Sequence, residues 1–195
     1  SSIVVAVCDT GVDLQHPDLA GPAPYLAGNL YTDWEEWGGA HLVDDDGNGY
    51  LDDWRGWDFV NVGSGPYAGE DYTTEDNEPA DFVGHGTNCA GCVSAICDND
   101  EGIASIGWQL RVLPLRIGFA VEDGQGGMTG VAYSTTMASA FNYARIKGAQ
   151  VINLSFGSSY TPSLQTAVNA CYSAGTLMVV AAGNDNSSDQ DYLAS

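Results

Sequence analysis

The chain is organised around residues 83–92, which read Val-Gly-His-Gly-Thr-Asn-Cys-Ala-Gly-Cys. The glycines on either side of His85 let the backbone approach a neighbour closely and leave the ring uncovered. The residues that follow are small and mostly apolar, which predicts a helix packed tightly inside a domain. A titratable ring at the mouth of a buried helix is where a general base is placed, although a lone histidine is more often a capping or core residue.

Two apolar runs end in a polar residue, as buried strands of open sheets do. Residues 3–9 read Ile-Val-Val-Ala-Val-Cys-Asp and are followed by Thr-Gly, and residues 177–184 read Leu-Met-Val-Val-Ala-Ala-Gly-Asn. Both patterns predict buried strands, and the carboxyl ends of such strands carry the sites of open α/β sheets. We therefore expect Asp9 and Asn184 at one edge of a sheet, close to His85.

In this order, the Asp-Thr-Gly, Gly-His-Gly-Thr and Ala-Gly-Asn motifs resemble those of the subtilisin-like serine peptidases, the subtilases. The resemblance runs over the whole chain and implies a serine endopeptidase that hydrolyses peptide bonds. It implies an Asp/His/Ser triad in which Asp9 orients His85 and His85 takes the serine proton. It also implies that Asn184 donates its side-chain amide to the oxyanion of the intermediate. Asn88 departs from the family pattern, which usually has His at that position.

Strand and helix patterns alternate from residue 83 onward, which predicts an α/β fold with a doubly wound, mostly parallel sheet and helices on both faces. Further strands are expected at 111–117 and 151–157, and a helix at 163–174 capped by Gly175. The Gly-rich stretch at 124–130 is expected to open another helix that runs through Lys147. We interpret residues 1–195 as one subtilisin-like peptidase domain whose carboxyl-terminal part is missing.

The resemblance implies that residues near the strand ends bind an extended polypeptide substrate. Ser155 and Gly157 match the family's Ser-x-Gly, which offers backbone groups to the substrate. Gly126 lies in the stretch that borders the substrate cleft in subtilases. Ala181 and Gly183 would line the pocket for the residue before the scissile bond, although plain close packing of strands is an equally good interpretation of these two.

The nucleophilic serine of the family has no match in this sequence. In subtilases a Gly-Thr-Ser-Met-Ala-x-Pro motif follows the Asn, and here the sequence ends at Ser195, eleven positions past Asn184. We therefore expect the nucleophile beyond residue 195 and no activity from residues 1–195 alone. Thr136 stands in a similar Ser-Thr-Thr-Met-Ala sequence, but it precedes Asn184 and lies in a predicted helix. Two other classes stay open, a catalytically inactive subtilase-like binding domain and a calcium-dependent structural module.

An acidic loop predicts a calcium site inside a long irregular segment at about 20–82. Residues 44–53 read Asp-Asp-Asp-Gly-Asn-Gly-Tyr-Leu-Asp-Asp, and five oxygen donors match positions 1, 3, 5, 7 and 9 of an EF-hand loop. These donors are the side chains of Asp44, Asp46, Asn48 and Asp52 and the carbonyl of Tyr50. Position 12 is Arg55 instead of Glu, so the loop is not an EF-hand, and a solvated acidic turn is the alternative.

The resemblance also implies a second calcium site, at the place where the family has a calcium loop. Its ligands would be the side chains of Asp18 and Asn99, with the carbonyls of Cys97, Glu101 and Ile103. For Asp18, which lies in a His-Pro-Asp-Leu sequence, an ordinary turn is the alternative. Calcium is the cofactor that we expect.

The charge balance narrows the range of partners. The chain has five Lys and Arg against 26 Asp and Glu, a formal net charge of −21. This excess argues against nucleic acid and anionic membrane surfaces and suits a secreted, extracellular protein. No run of 18 apolar residues is present, so no transmembrane helix is expected. Ser1 directly precedes a strand, which indicates a processed piece and adds a propeptide and the missing carboxyl-terminal segment to the expected partners.

Five cysteines are present, so at least one is free or pairs outside the chain. We expect buried free thiols rather than disulfide bridges. Cys89, four positions after His85, is expected to face the core from its helix, which argues against a Cys-His catalytic pair.

Overall fold

A parallel sheet with the first strand of the chain in its middle forms the centre of the fold. The computed structural model describes residues 2–184 and 192–194. Its strands are β1 (Val4–Asp9), β2 (Trp57–Asp58), β3 (Arg111–Arg116), β4 (Gly118–Glu122), β5 (Met128–Ala132), β6 (Val151–Leu154) and β7 (Leu177–Val180). Five of them form the parallel sheet, in the order β2-β3-β1-β6-β7. Asp9 lies opposite Arg116, and Cys8 opposite Leu154, so the carboxyl ends of these three strands share one edge.

Helices cover both faces of this sheet. They are α1 (Pro17–Ala20), α2 (Trp34–Gly38), α3 (His85–Ser94), α4 (Ser134–Ile146) and α5 (Pro162–Ala174), followed by a 3-10 helix at Tyr192–Ala194. Successive strand residues point to opposite faces. Ala6 therefore packs with Phe141 of α4 and Cys171 of α5, whereas Val7 packs with Ala90 of α3 on the other face. The predicted doubly wound α/β fold is confirmed.

The helix expected at 163–174 is present as α5. Thr161 caps its start, because its Oγ1 accepts a hydrogen bond from the Leu164 N–H at 3.2 Å. Gly175 ends it at φ 81°, a left-handed conformation that costs glycine little. The predicted cap is therefore correct.

The helix expected from 124–130 through Lys147 is only partly correct. Residues before α4 form instead an antiparallel hairpin of β4 and β5. Asp123 closes its turn, because Oδ1 accepts hydrogen bonds from the N–H groups of Gln125 and Gly127 at 2.7 and 2.9 Å. Such local side-chain bonds compete with the helix for the same backbone groups.

The hairpin packs closely against the end of β1. A Cβ placed on Gly130 would lie 2.7 Å from Cγ2 of Thr10, and one on Gly118 would lie 3.0 Å from the Phe156 ring. Gly130 therefore leaves room for Thr10, the residue after Asp9, and Gly118 leaves room for the Phe156 ring. This tertiary contact explains why the local pattern alone gave the wrong element.

The segment at 20–82 contains α2 and β2 and is otherwise irregular. It is joined to the sheet through Arg116 of β3, whose buried guanidinium is paired with Asp58 and Glu70. Breaking such a buried network leaves an uncompensated charge, so the network holds the long segment in place. That residues 1–195 form one domain stays a prediction.

None of the helices in the described residues is long and apolar enough to span a bilayer. All five cysteines lie within the described residues and are free. Cys8 and Cys171 are buried as expected, but Cys92 is exposed, on a side of α3 that no other element covers completely.

Candidate active site

The carboxylate of Asp9 and the imidazole of His85 form the centre of the site. Asp9 ends β1 and His85 begins α3. The Nδ1 atom of His85 lies 2.7 Å from Oδ1 of Asp9, within hydrogen-bonding distance. The fold thus brings two of the predicted catalytic residues into direct contact across 76 positions of sequence.

The two side chains differ in exposure. The Asp9 side chain is fully buried, whereas that of His85 is 47 % exposed. The Oδ2 atom of Asp9 has no hydrogen-bond partner within the described residues. When Nδ1 donates its proton to Asp9, Nε2 is left as an acceptor. A buried carboxylate in this position stabilises the imidazolium that forms when Nε2 takes up a proton.

Gly86 permits this close approach. A Cβ at position 86 would lie 2.1 Å from the carbonyl oxygen of Gly11 and 2.9 Å from Cβ of Asp9. Gly11 in turn sits against the backbone of Ala80, because a Cβ there would lie 2.4 Å from the Ala80 oxygen. Neither contact can be relieved by rotating a side chain. The glycine after the histidine is therefore required by packing.

Asp81, which is not among the predicted site residues, fixes the start of α3. The N-cap residue Gly84 has no side chain to satisfy the free N–H groups of the first turn. Both carboxylate oxygens of Asp81 accept hydrogen bonds at this end of the helix. Oδ1 accepts from the N–H groups of Val83 and Gly84 at 3.0 and 2.8 Å. Oδ2 accepts from N–H and Oγ1 of Thr87 at 2.8 and 2.6 Å.

Thr10 links this cap to the catalytic carboxylate. Its Oγ1 donates to Asp81 at 2.9 Å and accepts from the Gly86 N–H at 3.0 Å. Its N–H donates to Oδ1 of Asp9 at 2.8 Å. The position of His85 is therefore fixed from two sides. An Asp shortly before a helix that starts on glycine is the signal that could have identified Asp81.

Cys89 lies beside His85, is half-buried, and packs against the core cluster that contains Val7 and Ala90, as expected. Its Sγ is 3.9 Å from Nδ1 of His85 and donates to Oγ of Ser155 at 3.4 Å. Burial raises the pKa of the Cys89 thiol to about 11. The thiol is therefore protonated near neutral pH, which is a further argument against a Cys-His catalytic pair.

The predicted substrate-binding residues surround the same edge of the sheet. Ser155 and Gly157 follow β6, Ala181 and Gly183 follow β7, and Gly126 lies in the turn of the hairpin. Ser155 is half-buried and the other four are exposed. Their substrate-binding roles stay predictions.

Asn184 lies four residues beyond the end of β7 and is exposed. It is therefore on the carboxyl side of the sheet, as are Asp9 and His85. Within the described residues, its side chain makes no hydrogen bond with either of them. Among the described residues, a hydrogen bond thus joins Asp9 to His85, and none joins Asn184 to either of them.

An apolar groove borders the site on the α3 face of the sheet. Its volume is about 510 Å³. Its lining includes Val5 and Val179 of the sheet, Cys89 and Cys92 of α3, and Ile106. Val179 is 48 % exposed and Ile106 is 96 % exposed. This face is therefore only partly covered, whereas α4 and α5 cover the opposite face.

Thr136 is unsuited to act as a nucleophile. It is 8 % exposed and lies on α4, which packs on the face of the sheet opposite α3. Its Oγ1 lies 3.0 and 2.7 Å from the carbonyl oxygens of Ile117 and Tyr133, which share its single hydroxyl hydrogen. The hydroxyl is therefore occupied by the backbone.

Asp18 and Asn99, two predicted calcium ligands, are in contact. The Asp18 carboxylate is 3 % exposed and accepts from Nδ2 of Asn99 at 2.8 Å and from the Ile103 N–H at 2.9 Å. No Lys or Arg in the described residues pairs with it. A buried carboxylate that has no cationic partner suits a calcium ion. To act as a second ligand, Asn99 would have to turn the oxygen of its side-chain amide towards the ion.

The predicted side-chain ligands of the acidic loop are already engaged in hydrogen bonds or ion pairs. Asp44 accepts from the N–H groups of Asn48 and Gly49 at 2.9 and 2.8 Å. Asp52 faces Nδ1 of His41 at 2.9 Å. In the described part of the chain, the groups of three or more His, Cys, Asp or Glu that could hold a metal are Asp9/His85/Cys89 and Glu36/Asp46/Asp53. Of the predicted loop ligands, Asp46 alone belongs to one of these groups.

A parallel sheet that presents a buried Asp bonded to a half-exposed His at its carboxyl edge places the chain in the class of open α/β folds that carry their site at this edge. The family model described as the subtilase family matches residues 1–194. The chain belongs to the subtilase family.

Similar proteins agree with this membership. Thermitase of Thermoactinomyces vulgaris is 33 % identical over 195 residues, which are 100 % of this chain and 52 % of that protein. The thermophilic serine proteinase of Bacillus sp. (strain AK1) is 32 % identical over 185 residues, 94 % of this chain and 33 % of that protein. The chain thus spans about half or less of the length of these relatives. Further relatives include one named as an extracellular protease and one named as an intracellular protease.

Among solved structures, fervidolysin from Fervidobacterium pennivorans, a keratinolytic enzyme related to subtilisin, has a TM-score of 0.59 with this chain at 24 % identity. The match covers 97 % of this chain and 22 % of that one. This likeness concerns the fold.

Proposed function

We propose that the chain is part of a serine endopeptidase of the subtilisin type, which hydrolyses peptide bonds in polypeptide substrates. The observation that carries the proposal is the 2.7 Å contact between Nδ1 of His85 and the buried Asp9 carboxylate. Membership of the subtilase family and the names of the relatives support the same activity.

His85 is the general base in this proposal. Because Asp9 holds Nδ1, Nε2 is available on the substrate side. It takes the proton of a serine hydroxyl as the oxygen attacks the substrate carbonyl carbon, and later gives this proton to the leaving amine. Asp9 accepts the Nδ1–H hydrogen bond and stabilises the imidazolium.

Asn184 is proposed to donate its amide N–H to the oxyanion of the tetrahedral intermediate. In the subtilisin for which the value was measured, removal of such a donor costs about 10²–10³ in kcat. The residues after β6 and β7, Ser155, Gly157, Ala181 and Gly183, are proposed to bind the substrate together with Gly126. Their position around the Asp9–His85 edge supports this role.

The nucleophile is proposed to lie on a helix beyond residue 195 that occupies the apolar groove. The groove of about 510 Å³ opens next to Cys89 and Ser155, and Cys89 lies beside His85. A helix there would cover exposed apolar side chains such as Val179 and Ile106. The greater length of the relatives leaves room for it.

Calcium is proposed to stabilise the fold at the Asp18/Asn99 loop and at the acidic loop of residues 44–52. The first site is supported by the buried Asp18 carboxylate, and the second by the density of carboxylates. An ion at a hundredfold excess over Kd adds about 2.7 kcal/mol to the free energy of unfolding. EDTA should therefore lower the melting temperature of the full-length protein, and unchanged melting would contradict both sites.

A secreted location and a propeptide partner are also proposed. The net charge of −21 disfavours binding to acidic partners such as nucleic acid, and this suits an extracellular setting.

The test is peptide hydrolysis by the full-length protein. We expect His85→Ala to abolish measurable turnover and Ser139→Ala, an exposed change on α4, to leave it intact. A serine-directed covalent inhibitor should label a residue beyond 195. Full activity of His85→Ala would refute the general-base role. A folded protein that neither turns over peptides nor reacts with the inhibitor would favour the inactive binding domain.

A further inference from the structure

We propose that a pocket at the amino-terminal edge of the parallel sheet, next to Arg111, binds a small carboxylate that carries an apolar or aromatic group. This edge lies opposite the one that holds Asp9 and His85, because β1 begins at Val4 and β3 begins at Arg111. The proposal therefore concerns a second site, and it does not depend on the proposed peptidase activity.

The pocket lies between the starts of β1 and β3 and the segment that leads into α2. Its volume is about 270 Å³, a size that suits a small molecule or the end of a chain. It is lined by Arg111, by the hydroxyl-bearing residues Ser2 and Thr32, and by the apolar residues Leu26 and Trp34. The lining thus combines one cationic group with polar donors and apolar walls.

Backbone pairing holds the walls of the pocket in place. Leu30 forms a parallel bridge with Val112. The N–H of Tyr31 donates to the Val112 carbonyl oxygen at 2.7 Å, and the N–H of Arg111 donates to that of Ile3 at 2.8 Å. Because these contacts exist without a ligand, binding would cost little ordering of the protein.

Arg111 has an unused pair of donors. Its Nη1 donates to the carbonyl oxygen of Gly28, and Nε and Nη2 make no hydrogen bond with the described residues. Arg111 also forms no ion pair in the described part of the chain. The Nε and Nη2 atoms of a guanidinium present parallel N–H groups that match the two oxygens of a carboxylate.

Arg55 adds a second positive charge that no described carboxylate pairs with. Its side chain is 2 % exposed and donates to the carbonyl oxygens of Tyr25 and Tyr31. Its guanidinium carbon lies 4.8 Å from the ring centroid of Trp54. Burial, and then the charge of Arg111, lower the pKa of Arg55 to about 10. The carbonyl groups satisfy its hydrogen bonds but supply no negative charge, so a bound anion would relieve the repulsion.

The acidic residue next to Thr32 in sequence is engaged elsewhere. The Asp33 carboxylate lies 2.8 Å from Nζ of Lys147 and accepts from the Tyr31 hydroxyl at 3.4 Å. The chain has 26 acidic residues for five basic ones, yet none of the described acids pairs with Arg55 or Arg111. This exception points to a ligand as the missing anion.

The lining favours a carboxylate over a phosphate group. A carboxylate is held by two parallel N–H groups, which one arginine supplies, whereas phosphate sites commonly add several backbone N–H groups at a helix N-terminus. Trp34 is 62 % exposed and offers a flat apolar surface to the group that carries the carboxylate.

The experiment compares phenylacetate with phenylacetamide, which has nearly the same shape but no charge, by calorimetric titration of the full-length protein. We expect phenylacetate to bind at least about tenfold more tightly, because a charge-assisted pair replaces a neutral hydrogen bond. Phenylacetate alone should also raise the melting temperature. Equal affinity for the two compounds would overturn the inference.

Two variants locate the binding. Arg111→Gln should reduce phenylacetate affinity to the level of phenylacetamide. Arg145→Gln is the matched control, because Arg145 is exposed on α4 and likewise forms no ion pair with the described residues, and it should bind phenylacetate as wild type. Unchanged affinity in Arg111→Gln would refute the site.

Hydrogen exchange of the wild type needs no variant. Phenylacetate should slow exchange of the amides at 29–31 and 111–112 and leave those of α3 unchanged. Slowing confined to α3 would place the ligand at the Asp9–His85 edge and overturn the inference.

Two further probes define the ligand. Inorganic phosphate that bound as tightly as phenylacetate, with the same loss in Arg111→Gln, would show a general anion site and overturn the carboxylate assignment. N-acetylphenylalanine that bound at least as tightly as phenylacetate would identify the carboxyl terminus of a peptide as the ligand. Weaker binding would identify a free organic acid, and both of these outcomes support the carboxylate site.

Discussion

Replacement of Gly86 by Ala tests whether backbone packing positions the catalytic histidine. The added Cβ would lie 2.1 Å from the Gly11 carbonyl oxygen, and real Cβ atoms essentially never approach closer than 3.0 Å. The first turn of α3 must therefore move by about 1 Å, a misplacement that can cost about 10²-fold in rate. This corresponds to about 2.7 kcal/mol of transition-state stabilisation. We expect kcat to fall more than KM rises, because the proposed substrate-binding residues lie on other elements.

Gly91→Ala on the same helix is the control. Its Cβ would meet only Cδ1 of Ile103, at an ordinary 3.8 Å. Ala in place of Gly inside a helix stabilises by about 0.5–1 kcal/mol, so this variant should melt slightly higher and keep its activity. Both variants are assayed for kcat and KM on a peptide substrate in the full-length protein. If Gly86→Ala keeps kcat within about twofold of wild type, or if both variants lose activity equally, the packing argument is wrong.

Three further predictions concern individual side chains. In steady-state assays, Asp9→Asn should lower kcat by about 10⁴, which is the effect of the equivalent change in another serine protease. A loss below about tenfold would contradict the role of Asp9. Burial raises the pKa of Asp33, but the Lys147 ammonium outweighs this effect, and the pKa is lowered overall. As the pH falls, the unfolded chain therefore takes up a proton at Asp33 before the folded protein does. Stability measured by urea unfolding should therefore be complete above about pH 5 and decline below about pH 4, and Asp33→Asn should reduce that decline. In the protein of residues 1–195, where no later helix covers the groove, iodoacetamide at pH 8 should modify the exposed Cys92 at least about tenfold faster than Cys89, whose pKa is raised to about 11. Mass spectrometry measures both rates, and equal rates would refute the assigned burial.

The elements with strong local signals could be predicted from the sequence. The run that ends at Asp9 is apolar throughout and ends in Thr-Gly, and α5 carries a Thr at its start and Gly175 at its end. Each signal is contained in a few neighbouring residues. The contact between Asp9 and His85 was implied by the resemblance to the subtilases, and the structure places it at the carboxyl edge of the sheet.

The β4–β5 hairpin and the contacts of Lys147 and Glu36 could not be predicted in this way. Met128–Ala132 is a strand because Gly130 packs on Thr10, which is remote in sequence. Lys147 carries no sign in the sequence that its ammonium group reaches Asp46, about a hundred positions earlier. Glu36 stands in a short polar helix and gives no pattern of its own. Long-range packing and charge pairing decide these features, and no local propensity reports them.

The central place of β1 has a consequence for the order of events during folding. Its two neighbours, β3 and β6, begin at Arg111 and Val151, so β1 has no partner on either edge until about a hundred further residues have been synthesised. The entropy of closing such long loops must be lost before the sheet contacts compensate for it, which makes folding slow. Meanwhile both edges of an apolar strand are open to pairing with other chains. A separate segment that held β1 beside β3 early would raise the folding rate and leave the free energy of the finished fold unchanged.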